Sequence, residues 1–161
     1  MADPTRPVAG APIDTDWGQQ IHDRVFQPKG LRCHNAGTQS IGGTFEQLQI
    51  DIVDDDPGGW LDDDKYVVPT GYAGLYAWWL TCSVDGSDGE YIRLEIRVNG
   101  TAVPPSQRFI TDSAAIMVCL SGLMELTAGD EIDVWARYSA SSAVTVIRQF
   151  DFLIQGTSIG A

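Results

Sequence analysis

One strictly alternating segment constrains the fold of this chain more than any other feature. In residues 91–98, apolar side chains occupy every second position, and charged side chains mostly fill the gaps. A period of two residues places the apolar side chains on one face of an extended strand, which predicts a half-buried antiparallel β-strand. Asn99-Gly100 follows directly, and this dipeptide is the strongest short-range signal for a hairpin turn. We expect a return strand over residues 101–103 that ends at Pro104-Pro105, because proline cannot donate a hydrogen bond to a sheet.

The same kind of pattern recurs along most of the chain. Residues 131–137 alternate likewise after a turn at Gly129-Asp130. Further strands are predicted over residues 45–52, 66–68, 75–84, 114–120 and 143–154. An offset after Phe45 predicts a bulge, and a change of apolar parity around Arg148 predicts either a bulge or a strand covered on both faces. Many short strands at roughly ten-residue spacing, separated by glycine and aspartate turns, predict an all-β sandwich or barrel.

The faces of residues 75–84 differ in character. The even-numbered positions are predicted to be core: Tyr76, Trp78, Leu80, Cys82 and Val84. The odd-numbered positions are mixed but include Trp79, and a tryptophan on an outer sheet face often marks a covered surface such as a subunit interface. A loop or an N-terminal helix is the alternative cover. Trp135 alternates with core residues and is also expected to face outward or into an interface, whereas Cys82 and Cys119 are predicted to be buried, reduced thiols.

The first 40 residues differ from the rest of the chain in composition and in pattern. They hold four of the eight prolines and little strand pattern, so we expect an arm over residues 1–40 and a β domain over residues 41–161. Within the arm, Asp14-Thr15 offers a helix N-cap, and Pro28 and Gly30 end the pattern. The predicted short amphipathic helix presents four apolar side chains: Trp17, Ile21, Val25 and Phe26. This face either packs on its own domain or anchors the chain to a partner protein.

Charge and motif content exclude several functions. Ten lysines and arginines against 22 aspartates and glutamates give a net charge of −12, which disfavours binding to nucleic acid. The apolar runs are too short for a membrane span. The two histidines are His22 and His34, and His34 follows Cys33 directly, so the two side chains would point apart in a strand. With no nucleophile, phosphate-loop or metallohydrolase motif, we do not expect an enzyme or a bound organic cofactor.

A run of carboxylates between residues 51 and 64 is the one candidate metal site. Two clusters flank Pro57-Gly58-Gly59-Trp60, and calcium takes six to eight oxygen ligands, so both clusters are candidate calcium ligands. They comprise Asp54, Asp55, Asp56, Asp62, Asp63 and Asp64. The alternative is a solvated acidic turn that keeps the surface soluble.

The order of these signals resembles that of the C1q/TNF-like jelly-roll domains over residues 45–154. The segments that carry the resemblance are Tyr66-Val67-Val68-Pro69 before Gly74-Leu75-Tyr76, then Leu94–Gly100, Val118-Cys119-Leu120, Leu126–Val134 and Phe150-Asp151-Phe152-Leu153. The resemblance implies an antiparallel jelly-roll sandwich, here with a short N-terminal arm and helix, and a homotrimer. Some C1q-like trimers bind calcium near the threefold axis, where acidic runs from three copies would need a cation.

The opening of the chain carries a second resemblance. Residues 2–14 and the segment Trp17–Phe26 are similar to the N-termini of small minor tail or virion accessory proteins of actinobacterial tailed phages. This implies a structural protein on the virion surface, as a minor tail protein or a capsid decoration. Its arm would bind other capsid or tail proteins through Trp17, Ile21, Val25 and Phe26, after synthesis in the host cytoplasm.

The alternative function is a receptor- or carbohydrate-binding module of the phage tail. Trp60, Trp79 or Trp135 would then stack on the sugar rings of a host-surface glycan, and loop carboxylates would accept hydrogen bonds from its hydroxyl groups. Trp60 lies in a Gly-Gly loop among aspartates and is the best exposed candidate.

Overall fold

A computed structural model of the chain describes residues 29–35, 37–56, 59–85, 90–110, 116–139 and 145–157. The predicted helix with Trp17, Ile21, Val25 and Phe26 lies outside the described residues. The described part forms twelve strands: β1 (Lys29–His34), β2 (Gln39–Ile41), β3 (Glu46–Gln47), β4 (Ile52–Asp55), β5 (Leu61–Asp62), β6 (Lys65–Val67), β7 (Gly74–Val84), β8 (Tyr91–Val98), β9 (Thr101–Ile110), β10 (Ile116–Leu126), β11 (Glu131–Tyr138) and β12 (Thr145–Thr157). Within that part, no helix has the length and apolar character to cross a membrane.

The strands form two antiparallel sheets. The first sheet has the order β10-β7-β12-β1-β4, with β2 beside β12, and the second has the order β5-β6-β11-β8-β9, with β3 beside β11. Both sheets contribute apolar side chains to one core, whose largest fully buried members are Trp78, Tyr66, Tyr76 and Phe152. The fold is an all-β antiparallel jelly-roll sandwich, as predicted.

Strand parity follows the sequence pattern. The even-numbered side chains of β7 are buried, with Trp78 1% and Leu80 0% exposed. Trp79 points the other way and is 46% exposed. In β8, the side chains of Ile92 and Leu94 are fully buried. The period of two therefore decided which face of each long strand enters the core.

The sandwich begins earlier than the sequence indicated. The structure places β1 in the first sheet between β12 and β4, and β2 beside β12, although residues 29–40 were expected to belong to the arm. Leu31 and Cys33 are the buried apolar side chains of β1, and this alternation is too short to stand out in the sequence. The predicted strand over residues 45–52 is likewise divided, since β3 joins the second sheet and β4 the first.

Two further expectations concern irregular strands. The return strand after Asn99-Gly100 does not end at Pro104-Pro105, because β9 continues to Ile110. Among the described strands, β9 pairs only with β8, and the register of this pair shifts between Leu94, opposite Gln107, and Ile96, opposite Val103. Pro104 and Pro105 fall within this irregularity, and proline is tolerated at bulges and on edge strands. The irregularity near Arg148 is confirmed as a bulge, since the register between β12 and β7 shifts between Ile147 and Gln149.

Candidate interaction surface

The outward side of β7 and β10 exposes large apolar side chains. Trp79 is 46% exposed, Leu123 66% and Met117 69%. Trp79 lies opposite Ser121 on β10 and opposite Leu153 on β12, so these side chains form one continuous surface. We call it the apolar face, and its members are Ala77, Trp79, Met117, Cys119, Ser121, Leu123 and Leu153.

The apolar face carries no charge in an otherwise acidic chain. The outward positions of β7 are Leu75, Ala77, Trp79, Thr81 and Ser83, and those of β10 from Met117 to Leu123 are equally uncharged. The carboxylates nearest in register, Glu125 and Asp151, lie at its margin. Contiguous exposed apolar surface of this kind marks a site where a protein binds another molecule.

The three thiols fall into two environments. Cys33 and Cys82 are buried, and burial raises the pKa of each to about 12, so both are protonated at neutral pH. The Cys33 thiol donates a hydrogen bond to the carbonyl of Phe152 at 3.7 Å. Cys119 was expected to be buried but is exposed, because Val118 and Leu120 take the inward positions of β10. Its thiol therefore lies on the apolar face, and its accessibility depends on whether that face is covered.

The outward side of the second sheet is covered by the chain itself. The guanidinium carbon of Arg97 lies 4.1 Å from the ring centroid of Trp135 and 5.1 Å from that of Phe45. Beneath them, Glu95 is 4% exposed and pairs with Arg93 at 3.0 Å and with Arg97 at 3.2 Å. Trp135 faces outward, which was one of the two predicted alternatives. Arg97 covers a face of its ring on which a sugar would otherwise stack.

Asp133 adds a second carboxylate to this charged layer. Its side chain is 6% exposed, and burial raises its pKa, while the indole of Trp135, Lys65 and Arg97 act in the opposite direction. The sequence pattern does not predict this cluster. The available signal was that Arg93, Arg97 and Arg137 occupy outward positions of two alternating strands, and only the tertiary structure adds the Phe45 ring, 5.6 Å from Arg93 and 5.2 Å from Arg137.

Trp60 is also engaged by its own chain. Its ring is half-buried and meets Tyr66 edge-on at 6.2 Å between centroids, and Tyr72 at 5.7 Å. Its backbone N–H donates to the carboxylate of Asp56 at 2.8 Å, which fixes the loop. Trp79 is therefore the most exposed of the three tryptophans singled out from the sequence.

Three of the candidate calcium ligands form hydrogen bonds or ion pairs with other residues of the sandwich. Asp54 contacts His34 Nδ1 at 3.0 Å and Arg32 Nε at 3.7 Å. Asp56 accepts hydrogen bonds from the N–H groups of Trp60 and Leu61, and Asp64 accepts one from Ile50 N at 2.7 Å.

The other three aspartates lie on the surface. Asp55, Asp62 and Asp63 are exposed, and Asp63 and Asp64 take positive φ angles in the β5–β6 turn. Among the described residues of one chain, no three His, Cys, Asp or Glu side chains converge to hold a metal ion.

Solved structures share this fold at low sequence identity. The globular domain of zebrafish complement 1qA protein matches with a TM-score of 0.53 and 14% identity, over 80% of this chain and 94% of that chain. Murine APRIL matches with a TM-score of 0.54 and 14% identity, over 80% of this chain and 98% of that chain. The PRD1 vertex protein P5 matches with a TM-score of 0.57 and 13% identity, over 79% of this chain and 72% of that chain.

No family model and no curated protein matches the sequence. The shared fold therefore defines the class: a jelly-roll sandwich of the C1q and TNF type.

Proposed function

We propose that this chain is a structural protein of a phage particle, a homotrimeric jelly roll displayed on the particle surface. It serves as a minor tail protein or as a capsid decoration or head-fibre protein, and it is synthesised in the host cytoplasm. The observation that carries the proposal is the uncharged, exposed apolar face around Trp79 on a C1q/TNF-type sandwich. The fold shared with a phage vertex protein and the resemblance of residues 2–26 to small virion proteins support the location.

Three copies assembled through the apolar face would close a ring around one axis. A closed cyclic arrangement buries the same surface on every copy and leaves none free for further growth. Trp79, Met117 and Leu123 supply the buried apolar area, which is the main favourable term in association. Display of three identical outer surfaces would then let weak contacts add, and no chemical step is needed.

The arm joins the trimer to the particle. Trp17, Ile21, Val25 and Phe26 bind other capsid or tail proteins, while the sandwich projects outward.

The mass of the purified full chain by light scattering tests the assembly. We expect a mass near three times 17.5 kDa. Trp79→Glu places a charge in the apolar face and is expected to give monomers, whereas Trp79→Phe keeps an apolar ring there and is expected to keep the trimer. A wild-type monomer would contradict the trimer.

The same measurement with EDTA tests calcium. If EDTA does not change the trimer, the carboxylates from Asp54 to Asp64 are solvated surface groups. If the trimer dissociates in EDTA, they form a calcium site shared between copies.

Cys119 provides an independent measurement of the same surface. In the trimer its thiol is expected to react slowly with a maleimide, and in Trp79→Glu it is expected to react quickly. Cys33 and Cys82 are an internal control, since both stay protonated and buried until the chain unfolds. Equal labelling of wild type and Trp79→Glu would exclude the apolar face as the interface.

A receptor- or carbohydrate-binding module is the second candidate function. The observation in its favour is the exposed ring of Trp79, which offers a stacking platform for a sugar. A monomeric wild-type chain whose tryptophan fluorescence changes on addition of host cell-wall saccharide, and does not change in Trp79→Glu, would favour this function over the trimer.

A further inference from the structure

We propose that one end of the sandwich, which we call the base, lies directly against the particle and forms a second docking surface beside the arm. The base is formed by residues 69–73, 99–101 and 127–130. This inference rests on the proposed function and adds an orientation: the base faces a structural protein of the particle, and the opposite end points away.

The position at which β1 starts shows which end of the sandwich is nearest the arm. Lys29 is opposite Gly156, and Gly156 is opposite Tyr76, so β1 starts at the end where β7 also begins. At this end β10 finishes at Leu126, opposite Gly74, and turns into the second sheet. The 28 residues that precede β1 therefore reach the sandwich at the base, and an anchor within them brings the base to the particle.

Hydrogen bonds lock the turns of the base together. The Asn99 side-chain amide donates to the Asp130 carboxylate at 2.8 Å, and Glu131 N donates back to Asn99 Oδ1 at 3.0 Å. Thr127 N donates to Asp130 Oδ2 at 2.7 Å. Val68 N and Asp130 O are joined at 2.9 Å, which ties the segment before β7 to the same turn. A surface fixed in this way loses little conformational entropy when it binds.

The three base segments present small, uncharged side chains to solvent, and the exposed carboxylates of Glu125 and Glu131 lie at their margin, where Glu131 pairs with Lys65. The exposed residues of the base are Thr70, Gly71, Ala73, Asn99, Gly100, Thr101, Thr127, Ala128 and Gly129. Asp130 is the one charged side chain in the three base segments, and N–H and O–H donors take up its carboxylate.

At the opposite end, the described residues include Asp85 and Glu90, which follow β7 and precede β8 and are half-buried. The small, uncharged side chains that the base segments expose can approach a protein surface closely without a large desolvation cost. The partner is thus a protein surface that carries few charges and meets small polar side chains.

Charged, bulky side chains placed on the base test the orientation in the full chain. Ala128→Arg and Thr70→Arg each project from exposed turns. Gly37→Arg is the matched control between β1 and β2 towards the opposite end, where an added Cβ meets nothing within 4 Å. Each protein is mixed with purified phage particles that lack this chain, and binding is measured by cosedimentation, with the mass and unfolding midpoint of each variant measured alongside.

We expect both base variants to bind at least about tenfold more weakly than wild type, which corresponds to about 1.4 kcal/mol, and Gly37→Arg to bind like wild type. Wild-type protein that does not cosediment would contradict the proposed function itself. Wild-type binding with equal binding by all three variants would overturn the base while leaving that function in place. Loss of binding in Gly37→Arg alone would reverse the orientation.

Discussion

At the scale of single residues, the interior depends on a few close approaches that leave no spare volume. Gly122 is opposite Trp78 across β10 and β7, and a Cβ at Gly122 would lie 2.7 Å from Trp78 Cζ2. Gly156 has the same relation to Tyr76, again at 2.7 Å. Both aromatic rings are only 1% exposed, so they cannot move aside into solvent. The glycines are required for close packing rather than for their backbone freedom.

Gly122→Ala tests this packing. The added methyl group has to displace the Trp78 ring, and we expect the free energy of unfolding to fall by about 1–3 kcal/mol. Gly37→Ala, which adds the same methyl group in open space, should change it by less than about 0.5 kcal/mol. Urea denaturation of both variants measures the difference, and equal effects would contradict the packing argument.

Two glutamates of the second sheet form ion pairs that differ in burial, and their contributions to the free energy of unfolding should differ. Glu95 lies buried between Arg93 and Arg97, whereas Glu131 pairs with Lys65 at 2.9 Å on the surface. Glu95→Gln leaves two guanidinium groups without their carboxylate and should cost about 3 kcal/mol of unfolding free energy. Glu131→Gln should cost less than about 1 kcal/mol. Chemical denaturation of the pair checks this, and a loss at Glu95 no larger than that at Glu131 would contradict the assigned roles.

At the scale of elements, the β8–β9 hairpin turn is bonded to the turn that connects the two sheets. Asn99 has a φ of 51° and Gly100 a φ of 76°, which the β8–β9 turn requires. The same asparagine bonds to Asp130 in the turn between β10 and β11. A local turn signal in the sequence therefore also fixes how the β8–β9 hairpin sits relative to the β10–β11 turn between the sheets.

Asp130→Asn tests this connection through its pH dependence. Hydrogen bonds, first that from the backbone N–H of Thr127, lower the pKa of Asp130 below its usual 3.8. A lowered pKa gives stability that is complete above the usual value and is lost as the pH falls through the folded value. We expect the variant to be less stable than wild type at pH 7 by up to about 1 kcal/mol, and the difference to shrink below about pH 3.8.

Asp133→Asn is the contrasting control. Burial raises the pKa of Asp133, so its contribution to stability is lost as the pH rises through that raised value. Relative to this variant, wild type should therefore gain stability as the pH falls from 7. Unfolding curves across pH distinguish the two carboxylates, and slopes of the same sign would contradict these assignments.

At the scale of the whole molecule, the part of the chain that the structure describes builds one core, whose buried side chains lie between Leu31 and Ile154. In the proposed function, the sandwich forms the trimer, and the arm and the base bind the particle.

Deletion of residues 1–28 tests that division. We expect the shortened chain to fold and to form trimers, and to lose binding to particles. Circular dichroism, light scattering and cosedimentation give the three measurements. Loss of folding would show that Trp17, Ile21 and Val25 belong to the core, and retained binding to particles would remove the anchoring role of the arm.

Most of the long strands, their inward faces and the main turns follow from the sequence alone. Alternation over Tyr91–Val98 and over β7 depends only on the backbone pleat, which sends successive side chains to opposite sides whatever lies around them. Trp79 was recognisable as an outward residue for the same reason. The Asn99-Gly100 and Gly129-Asp130 turns were equally local, since their backbone angles depend on the residues within them.

The tertiary structure decided what depends on distant partners. Only long-range pairing with β12 and β4 brings β1 into the sheet, and β9 continues past Pro104 because it is an edge strand with an irregular register at that point. The exposure of Cys119, the cover that Arg97 and Phe45 provide for Trp135, and the packing of Trp60 on Tyr66 and Tyr72 all require side chains far away in the chain. The period of two shows which side chains share a face of a strand, but whether that face is buried depends on the parts of the molecule that pack against it.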